Sequence, residues 1–179
     1  VSYAQREIMR TADIVIGMVK DSVLLFEAED PGLVQSIKDR DNQVDFLYRE
    51  IKMFLLHHAN TNTTVVHQNI MNIIMFISDL ERAADSIDIN IRSLAIKKHA
   101  LKLEFSSEGL DEIKAMHAQV VKVASMGINA YDNPQMCELA IQLKRDLAKL
   151  EITFRENHIS RLNRGLRETI NTSSIHLDL

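Results

Sequence analysis

The stretch Asp79-Leu80-Glu81-Arg82-Ala83-Ala84-Asp85-Ser86-Ile87-Asp88 lies in the middle of the longest helical pattern in the chain, and acid meets apolar core there. Around it Ile70, Ile73, Ile74, Ile77, Leu80, Ala84, Ile87, Ile91 and Leu94 recur at three- and four-residue steps, which is the period of a helix with one buried face. Such a face needs partner helices. At about 100° per residue, Glu81 and Asp85 fall on one flank of this stripe, roughly 80° and 120° from its centre and one turn apart. Two carboxylates so placed repel each other unless a cation, an arginine or a proton intervenes.

Composition points to the same fold class. The 179 residues include two prolines, five glycines and no tryptophan, and aromatics make up 5%, so helix formers fill the segments between breakers. An all-α chain with almost no strand is expected. The lone Cys137 cannot close an intramolecular disulfide, which makes the cytoplasm the default compartment. A formal charge of −4 argues against general nucleic-acid binding. The best apolar run, Ile70 to Ile77, includes Asn72 and falls well short of the ~18 to 20 residues of a membrane span. Because the chain opens on Val1 and closes on Leu179 inside an apolar pattern, it reads as a fragment of something longer, whose remainder could include a membrane part.

Working outward, the first helix is expected from Ser2, a candidate N-cap, to about Phe26, with Ile8, Ala12, Val15, Val19, Val23 and Phe26 inside. Asp30-Pro31 starts a second helix, which carries Val34, Ile37, Val44, Leu47, Ile51, Phe54 and Leu55 to about His58. Asn60 to Thr63 reads as the turn. The third helix, about 64 to 101, would exceed ~50 Å if unbroken and could bridge two bundles. Phe105-Ser106-Ser107-Glu108-Gly109 reads as a loop with an N-cap serine, and a fourth helix follows over about 108 to 130. Asn133-Pro134 then repeats the Asp30-Pro31 signal at an offset of 103 residues. That offset sets Leu147 on Val44, Leu150 on Leu47 and Phe154 on Ile51, so the fifth helix copies the second and ends near Arg164-Gly165. The reading is therefore two tandem antiparallel three-helix bundles, residues 1–103 and 104–179, the second truncated at its C-terminus.

The second helix has an acid pair of its own. Asp41 and Asp45 flank their stripe at roughly 80° and 120°, with the same sign of offset as Glu81 and Asp85. If the two flanks turn toward each other, four carboxylates meet in one groove and could hold a hard or borderline cation. The plainer reading is a set of solvated acids paired with Arg40, Arg49 and Arg82.

The twofold repeat, with Asp41 to Asp45 on its second helix and Leu80-Glu81-Arg82-Ala83-Ala84-Asp85 on its third, resembles the PhoU family of bacterial phosphate-uptake regulators. The resemblance covers essentially the whole chain, and Arg155-Glu156-Asn157-His158-Ile159-Ser160-Arg161-Leu162 looks like the second-unit signature of PhoU-like domains at the C-terminus of sodium/phosphate cotransporters. It implies metal ligation by Asp41, Asp45, Glu81 and Asp85, with iron, zinc, manganese or magnesium as the divalent or trivalent ion. It also implies regulation of phosphate transport by protein contact. The implied partners are a transporter membrane domain or its signalling machinery, with a homo-oligomer as a further option and no nucleic acid; the implied place is the cytoplasm, as the soluble part of an inner-membrane protein. A metal-free structural bundle acting as an interaction module is the alternative. One departure bears on the site: Asp41 and Asp45 map to Lys144 and Ala148, so any metal is expected in the first unit, with Asp146 a poor substitute.

Other residues carry less. His57, His58 and His67 cluster near the turn as candidate zinc or nickel ligands, though loop histidines usually face solvent. His158, Arg161, Arg164 and Arg167 form a basic helix end that could meet phosphate or simply complement the dipole, and the second reading is preferred. The eight methionines are expected as core filler. An enzyme is not expected, because no His has Glu or Asp three residues before it, Cys137 has no surrounding motif, and no phosphate-binding glycine loop occurs.

Overall fold

Pro31 opens a helix because its missing N–H is one that a first turn leaves unpaired anyway, and Asp30 Oδ1 accepts the Leu33 N–H at 3.0 Å to cap it. The same device recurs at Asn133-Pro134, where Asn133 Oδ1 accepts from Gln135 N at 3.2 Å. Such signals divide the chain in the computed structural model, which describes residues 2–58 and 64–179, with side chains for 4–57 and 68–179. The helices are α1 (Ser2–Ser22), α2 (Pro31–His58), α3 (Thr64–Asp85), α4 (Arg92–Ala100), α5 (Ser107–Asp132), α6 (Cys137–Asn163) and α7 (Arg167–His176). Short 3₁₀ turns follow α1 and precede α6, and a π-helical turn, Ser86–Ile91, joins α3 to α4. No strand occurs among the described residues, and no helix among them is long and apolar enough to cross a membrane. The fold is all-α, as the periodicity predicts. The expected turn at 60–63 and the Ser2 side chain lie outside the described residues.

The helix ends follow local chemistry. Ser106 caps α5 by accepting from Gly109 N at 3.2 Å. Gly165, with φ of 72°, takes the left-handed conformation that stops α6, a position where a side chain would be strained.

The π-helical turn is the one departure from the straight third helix expected from the sequence. A wide turn carries about one extra residue, so the apolar phase slips after it. Asp88 is buried beside Ile87, Ile89 is exposed, and Ala95 rather than Leu94 is fully enclosed.

Two compact units result, and they do not divide where the repeat does. The first holds residues 1–18 and 30–92, the second 19–29 and 93–179. In the first, α2 and α3 pack antiparallel and enclose Ile37, Val44, Leu47, Ile51, Leu55, Ile77, Leu80 and Ala84, while Ile8, Ala12, Val15 and Met18 bury the inner face of α1. The second unit is built on the α5–α6 hairpin, with α7 against α6. It also takes in the last turn of α1 and the residues after it: His99 Nε2 lies 2.7 Å from Leu25 O and His117 Nε2 2.7 Å from Val19 O. A carbonyl only accepts, so each imidazole carries its proton on Nε2.

The repeated pattern does not give repeated burial. Val44, Leu47 and Ile51 are enclosed, whereas their counterparts Leu147, Leu150 and Phe154 are half-buried. The methionines also depart from expectation: Met18 is fully buried, but Met53, Met71, Met75 and Met136 are exposed.

Removing atoms from the enclosed seam should therefore cost far more than removing them from the hairpin surface. Ile77→Ala is expected to lower unfolding free energy by about 2–5 kcal/mol, and Ile152→Ala to change it by less than about 0.5 kcal/mol, read from urea denaturation followed by helical circular dichroism.

Candidate metal centre in the first unit

The carboxylates of interest are placed by the burial of the α2–α3 seam. Once Val44 and Leu47 turn inward, Asp41 and Asp45 must flank the groove, and the same holds for Glu81 and Asp85 beside Leu80 and Ala84. The flanks turn toward each other. One carboxylate oxygen from each of Asp45, Glu81 and Asp85 lies within 4.8 Å of the others, and all three residues are half-buried. It is the one such grouping of potential ligands among the described residues.

Asp41 joins this set through its field. Its carboxyl is pushed up from 3.8 to about 6, first by burial and then by Asp88, Asp85, Asp45 and Glu81 in turn. Glu81 is also raised, by burial and by Asp85 and Asp45, against the pull of Arg82 and Lys52. All four residues expected from the sequence thus meet in one groove: three converge as donors, and the fourth senses their charge.

Arg82 forms its ion pair with Asp79 and also pulls on Glu81 through its field. Arg40 Nε donates to Ser36 O at 3.3 Å. Lys52 Nζ donates to Tyr48 Oη at 3.2 Å, and Ser78 Oγ lies 3.4 Å from the same oxygen, so this phenol bridges the two helices just below the acids. Those two hydrogen bonds hold the Tyr48 phenol below its usual range.

Asp88 is the acid that periodicity missed. The π-helical turn swings it inward, and Arg92 clamps it through Nε at 2.8 Å and Nη2 at 3.2 Å. Among the charged neighbours of Asp41 it acts most strongly. Its place three residues after Asp85 is a signal, but a regular helix would not bring it to this depth.

The donor set fits a cation. An ion bound at about 2.0–2.6 Å from each oxygen spans donors up to about 4–5 Å apart, which matches the spacing here. An all-oxygen anionic set suits hard ions.

The other candidates fare differently. Asp146 is exposed and bonded to Gln142 and Lys149, which hold its carboxyl below the usual range. Lys144 and Ala148 are exposed, and no acid grouping is found on α6 among the described residues. The His57 side chain faces solvent, and those of His58 and His67 lie outside the described residues. The basic helix end is only partly one: Arg164 and Arg167 are exposed, whereas His158 and Arg161 are buried and Arg161 is paired with Glu112 at 2.6 Å.

The family model for the PhoU domain matches residues 8–90, the stretch that holds all five groove carboxylates. The match spans 83 of the chain's 179 residues. Over 180 aligned residues the chain is 26% identical to the "Putative inorganic phosphate export protein YjbB" of Salmonella typhimurium strain LT2, covering 98% of this chain and 33% of the relative. It is 24% identical, over the same extent, to proteins of that name from Escherichia coli strain K12 and Shigella flexneri. The chain thus spans about a third of the length of the curated relatives it matches. No solved structure matches it.

The raised Asp41 carboxyl sets a pH dependence for the metal-free protein. A folded-state value near 6 above an unfolded 3.8 means that the folded protein holds a proton in this window where the unfolded chain does not. Stability should therefore rise as pH falls from 7 toward 4. Asp41→Asn is expected to raise the urea midpoint at pH 8 and to leave it nearly unchanged at pH 4.

Proposed function

We propose that this chain is a non-enzymatic regulatory domain of phosphate homeostasis, which acts by protein contact and is tuned by a metal ion held in the α2–α3 groove. The observation that carries the reading is the convergence of Asp45, Glu81 and Asp85 within 4.8 Å inside the stretch that the PhoU domain model matches. With Asp41 beside them, four like charges crowd one groove, and a cation would relieve that repulsion and fix the angle between the two helices. Oxygen donors favour magnesium, manganese or iron over zinc.

The names of the relatives tie proteins of this kind to phosphate export. The reading extends that link to this chain as the cytoplasmic, PhoU-like part of a membrane phosphate transporter of the sodium/phosphate cotransporter kind. Its partner would be the membrane domain or the associated signalling machinery. A contact surface is available: Phe46, Met53 and Leu56 on α2 and Met71 and Met75 on α3 are exposed in the same unit. Exposed apolar side chains, methionines above all, suit adaptable protein contacts.

Elemental analysis of the untagged protein, after supply of magnesium, manganese, iron and zinc, tests the metal part. Stoichiometric metal is expected in the parent and none in folded Glu81→Ala/Asp85→Ala, with Asp146→Ala unchanged. Metal retained by the double variant would sink the site. Cross-linking in cells tests the contact part: Met53→Glu/Met71→Glu is expected to lose capture of a membrane phosphate transporter, and unchanged capture would remove that face from the reading.

A further inference from the structure

We propose that α7 is an acid-released strap, held onto the second unit by the stacked imidazoles of buried His158 and half-buried His176 and freed when these rings take up protons. The two rings lie with centroids 4.3 Å apart at 22°, one from α6 and one from the last turn of α7. His176 also meets the edge of Phe105 at 6.1 Å, and Phe105 leans on Phe26 at 6.2 Å. Gly109 at the start of α5 lies beside the ring: a Cβ there would meet His176 Cε1 at an ordinary contact distance of 3.5 Å, and its one tight approach, 3.0 Å, would be to Ser106 Oγ. His158 Nε2 shares a hydrogen bond with Ser173 Oγ at 3.0 Å.

The rest of the attachment is slight. Thr169, Thr172 and Ile175 are buried, but Thr172 Oγ1 bonds back to Glu168 O in its own helix, and Thr169 Oγ1 has no hydrogen-bond partner. Lys97 Nζ reaches Ser174 Oγ at 3.2 Å from α4. A helix of ten residues has little stability of its own, so its docking depends on these few contacts.

The surroundings do not favour charge on either ring. Arg161 on α6 is buried beside them, and its partner Glu112 on α5 is already committed to Arg161 at 2.6 Å and Asn157 at 2.8 Å. Lys98 on α4 lies over the Phe105 ring at 5.8 Å, adding a second cation on that side. Burial first, then His158 and Arg161, push His176 from 6.5 to about 4 against the opposing pull of Glu112. His158 is lowered as well, by burial and then Arg161. His158 Nδ1 is enclosed with no hydrogen-bond partner, so a proton arriving there would gain none.

The sign follows directly. Between pH 6.5 and about 4 the released His176 ring binds a proton that the docked ring does not, so each pH unit of acidification favours release by up to about tenfold. Amide hydrogen exchange on the full chain reads this as protection factors. From pH 6.5 to 4.5 the α7 amides are expected to lose roughly a hundredfold of protection, while those of α2, α3 and α5 hold. His176→Phe keeps an aromatic ring between Phe105 and His158 without the proton site, and it should shrink that loss by at least tenfold. Proton NMR of the parent should show the His176 ring neutral to well below pH 6. A flat α7 profile, an equal slope in His176→Phe, loss of protection in α5 together with α7, or a His176 ring titrating near 6.5 would each overturn the strap.

Discussion

The apolar seam between α2 and α3 is the constraint on which the acid groove depends. Burying a side chain such as Ile77, Leu80 or Val44 is worth about 1.5–3 kcal/mol, and several such residues line the seam. Crowding partly solvated carboxylates costs less per pair than that burial returns, so the seam dictates and the acids comply. Once the seam closes, the helix period leaves Asp41, Asp45, Glu81 and Asp85 no freedom to separate. The protein thus holds a repulsive arrangement, and the two raised carboxyls, Asp41 and Glu81, record burial first and that crowding second.

The π-helical turn modifies this arrangement at one end. It brings Asp88 inward beside Asp41 and supplies Arg92 four residues later as its partner. A fifth carboxylate is therefore enclosed only with its own cation attached, while the three convergent acids have none so close. The contrast between the Asp88–Arg92 pair and the open set of Asp45, Glu81 and Asp85 separates a charge the fold has already neutralised from charges it has left available.

Much of this was legible in the sequence because it rests on periodicity and punctuation. Apolar spacing announced the helices, Asp30-Pro31, Asn133-Pro134 and Gly165 announced several of their ends, and wheel arithmetic placed both acid pairs on matching flanks. What stayed hidden depends on turn geometry and on contacts distant in sequence. No periodic rule signals that six residues will widen into a π-helical turn, so the burial of Asp88 and Ala95 was not legible. The enclosure of His158 and Arg161 was equally invisible, because Arg161 pairs with Glu112, 49 residues away on another helix, and His158 meets Ser173 on α7. The exposure of Met53, Met71 and Met75 was missed for a related reason: methionine's flexible side chain suits core and contact surface alike, so its presence does not say which.

The two units handle buried polarity in opposite ways. In the first, like charges converge, and Arg82 and Lys52 offset them only in part. In the second, Glu112 pairs with Arg161 and Asn157, and enclosure disfavours charge on the histidines beside them. The two arrangements differ in which charged form their surroundings disfavour. Protons act on them with opposite sign, because acidification relieves the carboxylate groove and burdens the imidazole stack. Within mildly acidic solution, one chain therefore contains a seam that tightens and a strap that loosens, each for a reason set by which charged form its surroundings exclude.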